Sequence, residues 1–325
     1  MPISVLVVGG AGYIGSHMVA ALLAGGCRVT IFDNLSTGHR DAVLGGEFVQ
    51  GDLADRATLD ALLNARHFDA VMHFASFIQV GESVREPAKY YANNLAHTLN
   101  LLDAMVAHGV HRFIFSSSAA VYGNPAQVPI PETHPKQPIN PYGRTKWMVE
   151  QILEDYDRAY GLKSVCLRYF NAAGADPEGR LGERHEPETH LIPLVLRAAR
   201  GRLPHVSVFG RDYDTPDGTC IRDYVHVTDL AEAHWLALEY LLAGSASTAL
   251  NLGNGAGFSV AEVIATAGRV TGRRIPVRDA PRRAGDPPRL VADAARARDL
   301  LGWRPRFDAL ATIIAHAWQW ECRAP

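Results

Sequence analysis

The tightest constraint in this sequence is a cluster of glycines between two apolar segments. Residues 3–8 form an apolar run interrupted only by Ser4, the pattern of a strand buried on both faces. The run ends in Gly9-Gly10-Ala11-Gly12-Tyr13-Ile14-Gly15, and residues 17–23 then carry apolar side chains at helical spacing until Gly25-Gly26. The stretch satisfies G-x-G-x-x-G from Gly10 and G-x-x-G-x-x-G from Gly9. Glycines here allow a tight turn, backbone approach to a pyrophosphate and close helix–strand packing, so phosphates meet the helix N-terminus. Gly9, Gly12, Tyr13, Ile14 and Gly15 are therefore expected against a dinucleotide. Asp33 follows Gly15 by 18 residues, at the end of a second strand. A carboxylate there accepts from ribose hydroxyls and repels a 2′-phosphate, which favours NAD over NADP. Asp52-Leu53, after a third strand, either flanks the adenine or simply begins a loop.

Strand and helix patterns alternate beyond the turn. Strands are expected at 28–32, Glu47–Gln50, 70–74, 112–115 and Lys163–Tyr169, with helices at Arg56–Ala65, 90–107 and 142–160. Such alternation implies an α/β fold, a doubly wound, Rossmann-like parallel sheet with helices on both faces. After Asn171 the texture changes. Residues 172–189 are rich in Gly, Pro and charge and read as a long loop, of the kind that tends to be functional. A helix at 191–201, a strand at Val206–Phe209, a polar loop at 210–220 and short strands at 249–252 and 275–278 follow. The division expected is a nucleotide domain over 1–171, with segments around 223–255 returning to it, and a smaller mixed α/β substrate domain over 172–325.

Composition narrows the function classes. Lys plus Arg number 32 against 34 Asp plus Glu, which gives no global attraction to nucleic acid or to an anionic membrane. Hydrophobic residues make up 47%, enough for a packed core and too many for wholesale disorder. Four scattered cysteines, Cys27, Cys166, Cys220 and Cys322, lack the spacing of a disulfide framework or zinc site, and no metal is expected. No stretch approaches the ~20 apolar residues of a membrane span, and no leader pattern precedes residue 3. The expectation is a cytoplasmic chain. Only Lys89, Lys136, Lys146 and Lys163 are lysines.

One of those four has a partner. The expected strand at 112–115 runs into Ser116-Ser117-Ser118, at the carboxyl end where open parallel sheets bind ligands. Further on, Pro141 opens a helix in which Tyr142 and Lys146, four residues apart, share a face. A phenol is a poor base at neutral pH. A neighbouring ammonium and a cationic nicotinamide would stabilise its phenolate. Tyr142 would then accept a proton from a substrate alcohol as hydride leaves the same carbon, with Ser118 orienting the oxygen.

These motifs resemble the extended short-chain dehydrogenase/reductases and, within them, the UDP-glucose 4-epimerase family. The resemblance is carried by residues 9–16 (GGAGYIGS), Asp33-Asn34-Leu35, His73-Phe74-Ala75, residues 80–84 (VGESV), Tyr91-Ala92-Asn93-Asn94 and residues 115–123 (FSSSAAVYG). It continues through residues 142–146, 168–171 (RYFN), Gly174-Ala175, 222–227 (RDYVHV) and 282–286 (RRAGD), in order over nearly the whole chain. It implies interconversion of UDP-glucose and UDP-galactose through a 4-keto sugar, with NAD regenerated each cycle. It adds Asn34, Phe74, Ala75, Asn93, Ser116 and Tyr169 to the cofactor residues. It places Asn171, His190, Leu191, Val208, Phe209, Arg222, Arg283 and Asp286, with Ser118 and Tyr142, on the substrate. Guanidinium forks suit the diphosphate. Related dehydratases carry an Asp-Glu pair immediately after the Ser/Thr-tipped strand. Here Ala119-Ala120 cannot shuttle protons, which disfavours dehydration.

Three positions depart from the family pattern. Ile78 stands where some relatives place a lysine near the cofactor, His190 where an asparagine often meets substrate, and Leu290 where a large tyrosine can close the sugar pocket. The smaller Leu290 leaves N-acetylated UDP-hexoses open as alternative substrates, beside UDP-uronic acids. A catalytically inactive NAD-binding regulator is the reading from a different class; it predicts loss of Tyr142 or Lys146, and both are present. The resemblance also implies a homodimer through the helices at 90–107 and 142–160.

Overall fold

The computed structural model describes residues 2–283 and 286–323. The first part of the chain runs β1 (Ser4–Val8), α1 (Tyr13–Ala24), β2 (Arg28–Asp33), β3 (Glu47–Gln50), α2 (Arg56–Ala65), β4 (Ala70–His73), α3 (Val80–Arg85), α4 (Pro87–Tyr90), α5 (His97–Ala107), β5 (Arg112–Ser118), α6 (Pro141–Tyr160) and β6 (Lys163–Tyr169). Then come β7 (Asn171–Ala173), α7 (Leu191–Ala199), β8 (Val206–Phe209), β9 (Ile221–Arg222), β10 (Tyr224–His226), α8 (Val227–Leu242) and β11 (Thr248–Leu252). The chain closes with β12 (Phe258–Ser259), α9 (Val260–Thr271), β13 (Val277–Ala280), β14 (Arg289–Leu290), α10 (Ala295–Leu301) and α11 (Leu310–Arg323).

Seven parallel strands form the main sheet in the order β11-β6-β5-β4-β1-β2-β3. The chain builds outward from β1 to β3, then returns to lay β4 on the other side of β1. That reversal opens a crevice at the carboxyl ends of β1 and β4, where open α/β sheets bind ligands. One face is covered by α1 and α8, whose Met18, Leu22, Leu230 and Leu238 pack on Val5, Val7 and Ile31. The other is covered by α2, α5 and α6 through Leu59, Leu101, Leu102, Val149 and Leu153 on Leu6, Val8 and Phe113. Every residue of β1 is buried, and each such Val or Leu contributes roughly 1.5–3 kcal/mol. The sheet is therefore a stiff floor for whatever sits at its edge.

A third cluster joins α7, α9 and α11 through Val195, Leu196, Val263, Ile313 and Ile314. Around it lie two-stranded β13-β8 and β10-β7 and three-stranded β12-β9-β14 sheets. The later segments α8 and β11 pack on or join the main sheet, whereas β10 pairs with β7.

Several elements differ from the sequence expectation. Helix α1 starts at Tyr13, directly on the glycine turn, and β5 continues through Ser118. The short strand expected at 275–278 lies at Val277–Ala280, because it pairs in register with Val206–Phe209. The expected helix at 90–107 is broken by a π-helical turn at Tyr91–Ala96. Inside that turn the Asn94 side chain bonds both backbone groups of Phe77, at 2.9 Å each. An insertion of this kind often marks a functional site.

Candidate active site

The crevice at β1 and β4 is an open cleft of about 550 Å³, lined by Gly9, Gly12, Asp33, Asn34, Asp52, Leu53, Phe74, Ala75 and Asn93 among others. Nine expected cofactor residues are thus gathered on one wall from five segments. Sequence reasoning missed further lining residues, Ser36, Ser76 and Phe77 among them.

The glycine turn fits a dinucleotide on structural grounds. Gly9 has φ +81, and a Cβ there would lie 2.4 Å from the Ala75 backbone nitrogen. At Gly15 a Cβ would sit 2.2 Å from the Gly9 carbonyl. Only glycine lets α1 approach this closely. Gly12 is the N-cap of α1 and supplies no capping side chain. The first N–H groups of α1 are left to an anion. Ile14 packs its side chain into the core, so only its backbone belongs to that anion site. Asp33 braces the turn, accepting from Ala11 N–H at 2.9 Å and Leu35 N–H at 2.8 Å. Each oxygen keeps a lone pair for a ribose hydroxyl. Asn34 donates to Asp52 at 2.8 Å, and the Ala54 N–H and Asn34 hold the Asp52 carboxyl below its usual range.

Tyr13 reaches across the molecule instead of along the cleft wall. Its hydroxyl donates to the Gly174 carbonyl at 2.7 Å, tying α1 to the long loop. Asn93 donates to Asn94 at 2.9 Å. Asn94, 2% exposed, is the missed residue that fixes the 77 backbone against the cleft. Its sequence signals are an amide at an apolar-helix position and its place in the Tyr91-Ala92-Asn93-Asn94 motif.

The tip of β5 meets the start of α6 beside this wall. Asn140 caps α6 by accepting from Gly143 N–H at 2.8 Å, and Pro141 opens it. The cap fixes the first turn and with it Tyr142. Ser118 hydrogen-bonds the Tyr142 phenol, and Ser118 Oγ accepts from Ala120 N–H at 3.1 Å. Lys146, 2% exposed, donates to Ser76 Oγ at 2.7 Å and the Ser116 carbonyl at 2.8 Å. Its ammonium lies 5.9 Å from the Tyr142 ring centre and 4.9 Å from that of Phe115. Ser116 and Tyr169 share a hydrogen bond between their hydroxyls, so the Tyr169 hydroxyl has a partner within the wall.

The expected lowering of the Tyr142 pKa is corrected for the protein alone. Burial pushes the phenol up, and only the Ser118 hydrogen bond pulls it down. Lys146 moves in the opposite sense. Burial drives its ammonium down to about 7, against support from the Glu150 carboxylate. Both shifts arise because each group is charged in its useful form and has lost water. Beneath them, Glu150 and Arg168 form a buried ion pair, Arg168 Nε lying 2.9 Å from Glu150 Oε1. That pair ties α6 to β6 below the reacting groups.

The expected substrate residues fall into two sets. Arg222 donates to the Ile221 and Pro287 carbonyls at 2.9 and 3.0 Å and lies 3.5 Å from the Asp286 carboxylate. The Arg283 guanidinium stacks over Phe209, 3.9 Å from the ring centre. Val208 is 1% exposed and supports this strand from behind. Leu290 pairs in register with Arg222 and packs on Val121 and Tyr122, which follow Ser118. Arg222 is thereby linked, through Leu290, to the segment that follows Ser118. Asn171 begins β7, its N–H donating to the Asp223 carbonyl at 3.0 Å. Leu191 starts α7 and packs into the third core cluster. His190 is turned aside, because its Nδ1 is bonded to Glu183.

A dinucleotide cleft ending in a buried Ser–Tyr–Lys corner defines an enzyme that oxidises an alcohol with a bound nucleotide. Residues 5–253 match the model of the NAD dependent epimerase/dehydratase family, and the chain belongs to that family. A UDP-glucose 4-epimerase of Rhizobium leguminosarum bv. trifolii is 54% identical over 99% of this chain and 98% of its own. The crystal structure of UDP-glucose 4-epimerase from Brucella ovis in complex with NAD superposes with TM-score 0.95 and 53% identity, over 97% of each chain. The epimerase from Bifidobacterium longum in complex with NAD+ and UDP is 39% identical, with TM-score 0.94 over 99% of each chain.

Proposed function

We propose that this protein interconverts UDP-glucose and UDP-galactose with NAD, by oxidising the sugar at C4 and reducing it again from the other face. The observation that carries the reading is the Ser118–Tyr142–Lys146 corner beside the glycine-turn cleft, with Ala119-Ala120 directly after it. Full-length relatives at about half identity bear the same activity in their names. NAD, when bound along the Gly9–Asp33 wall, supplies a hydride acceptor that returns the hydride within the same cycle. Tyr142 takes the proton of the sugar 4-hydroxyl, holds it while C4 is a ketone, and gives it back once the sugar has turned. Ser118 orients that oxygen. Lys146 holds the Ser76 and Ser116 segments in place and sets a positive charge near the phenol. No side chain after Ser118 eliminates water, because both positions are alanine.

Labour divides between the two parts of the chain. Residues 1–171, with the α8–β11 segment, hold NAD, and the remainder of 172–325 holds the UDP-sugar. Arg222 and Arg283 take the diphosphate, Asp286 the uridine ribose and Phe209 the base. Leu290, half-buried and smaller than a tyrosine, leaves room for an N-acetyl group, so UDP-N-acetylhexoses are a second substrate class. No helix among the described residues is long and apolar enough to cross a membrane. The cysteines are free, which suits a reducing cytoplasm. Exposed Val80 and Val84 on α3 and Met148 on the adjacent α6 offer an apolar face for a second copy, and a homodimer is the proposed assembly.

The test is to incubate purified protein with UDP-galactose, without added reductant, and follow UDP-glucose by a coupled assay. Formation of UDP-glucose without net accumulation of reduced NAD supports the reading. Release of a 4-keto or dehydrated sugar as the end product contradicts it.

A further inference from the structure

The long loop between β7 and α7 holds four chemistry-bearing side chains that the proposed reaction does not use. Glu183, His185, Glu188 and His190 each bring one ligand atom to a common point, and these atoms all lie within 4.8 Å of one another. His185 Nδ1 is 3.2 Å from Glu183 Oε1 and 3.7 Å from Glu188 Oε2. Ligand atoms about 2.0–2.2 Å from a tetrahedral zinc ion stand roughly 3.3–3.6 Å apart. The observed spacings bracket that range. His190 Nδ1 closes the set by contact with Glu183.

A second observation points to a ligand. Glu188 has a side chain only 1% exposed. Its Oε1 accepts from the N–H groups of Thr189 and His190, at 2.7 and 2.8 Å. Among the described residues its Oε2 has no hydrogen-bond partner, and neither has the buried Nδ1 of His185. These two atoms, without a hydrogen bond, face each other 3.7 Å apart inside the cluster, at ion-pair distance. A buried group in that state needs an explanation, and an ion is one. Two carboxylates with two neutral imidazoles would just balance a dication. Mixed imidazole and carboxylate donors suit zinc and its neighbours, whereas magnesium and calcium prefer oxygen alone.

We infer that Glu183, His185, Glu188 and His190 bind a divalent cation of the zinc class, at a site apart from the Ser118–Tyr142–Lys146 corner. The site fastens the long loop to its surroundings. The His185 ring meets the Tyr13 ring edge-on at 6.2 Å, and Tyr13 bonds Gly174 at the loop's other end. Trp320 of α11 donates to the Glu183 carbonyl at 3.1 Å, and His190 is the N-cap of α7. One ion would thereby join the first helical turn of α1, the loop and the start of α7. The expectation of no metal rested on cysteine spacing; the pattern here is E-x-H-x-x-E-x-H, with no cysteine in it. The proposal stands independently of which sugar nucleotide is turned over.

The test uses untagged full-length protein purified without chelators. Elemental analysis is expected to find about one zinc per chain. Chelator-stripped protein, titrated with Co2+, should develop ligand-field absorption that saturates at about one equivalent and is displaced by Zn2+. Zinc should raise the melting temperature of the stripped protein, and Mg2+ should not. Glu188→Gln is expected to weaken zinc binding at least about tenfold. Stripped wild-type protein with no Co2+ absorption and no zinc-dependent melting shift overturns the proposal, as does a Glu188→Gln variant with wild-type zinc affinity. A shift with Mg2+ alone overturns the zinc assignment. The Co2+ titration needs no variant, so poor folding of Glu188→Gln leaves the decision intact.

Discussion

Beside Tyr142 the positive charge is a lysine, 2% exposed, held by Ser76 and the Ser116 carbonyl and driven by burial to a pKa of about 7. Among the expected substrate residues it is carried by two arginines, Arg222 held by backbone carbonyls and Arg283 laid flat on the Phe209 ring. The contrast separates two uses of charge. A compact ammonium changes its protonation state when buried, which suits a group next to a proton-transfer site. A guanidinium keeps its charge and offers a planar fork, which suits a diphosphate. With only four lysines in the chain, the placement of one of them at this corner is a chemical choice as well as a compositional one.

Exchanging the residue types breaks this comparison most directly. Lys146→Arg puts a permanent, bulkier cation in a site with no spare room, and turnover should fall on the order of 10²–10⁴-fold, measured as kcat in the coupled assay. Arg222→Lys keeps the charge but loses the fork. A charged hydrogen bond contributes about 1.5–3 kcal/mol, so KM for UDP-galactose should rise roughly 10- to 100-fold with kcat largely retained. A reversal of this kcat–KM split would undo the division.

The buried pair under the corner gives a stability prediction. Glu150→Ala leaves Arg168 charged and unpaired, which costs about 3–5 kcal/mol, read by urea denaturation. A pH-dependent effect comes from Lys146 itself. Its folded pKa of about 7 lies below the ordinary value of 10.5. Between those values the unfolded chain binds more protons, so its contribution to stability rises with pH over that window; below about pH 7 the destabilisation is complete. Lysine NMR of the cofactor-free protein is expected to show one signal titrating near neutrality, absent in Lys146→Met. The smallest effect is at Leu290. Leu290→Tyr should leave UDP-galactose turnover within about threefold and lower that of UDP-N-acetylgalactosamine, a difference of roughly 1–3 kcal/mol in pocket fit.

The two regions also differed in how far they could be read from sequence. The sheet, the glycine turn and the Tyr142–Lys146 pair were legible because each rests on local periodicity: a buried run, a φ requirement at Gly9, an i, i+4 face. The double role of Asp33 was not, since its bracing of Ala11 spans 22 residues. The π turn at Tyr91–Ala96 depends on Asn94 finding Phe77, and no helical periodicity announces that partner. Asn94 and Ser76 act through contacts that only the assembled sheet creates. The upward shift at Tyr142 likewise reflects burial, whereas spacing revealed only its charged neighbour. In the substrate half, His190 was assigned by position in a motif. The fold joins it to Glu183, His185 and Glu188, because the loop folds on itself over eight residues.

The account stands on Tyr142 moving the proton while the cofactor site remains intact, and a single variant separates the two. In Tyr142→Phe, kcat for UDP-galactose and the amount of NAD bound per chain are measured on the same preparation. The prediction is a loss of turnover on the order of 10²–10⁴-fold with NAD content unchanged. Turnover at the wild-type rate with NAD bound would contradict it.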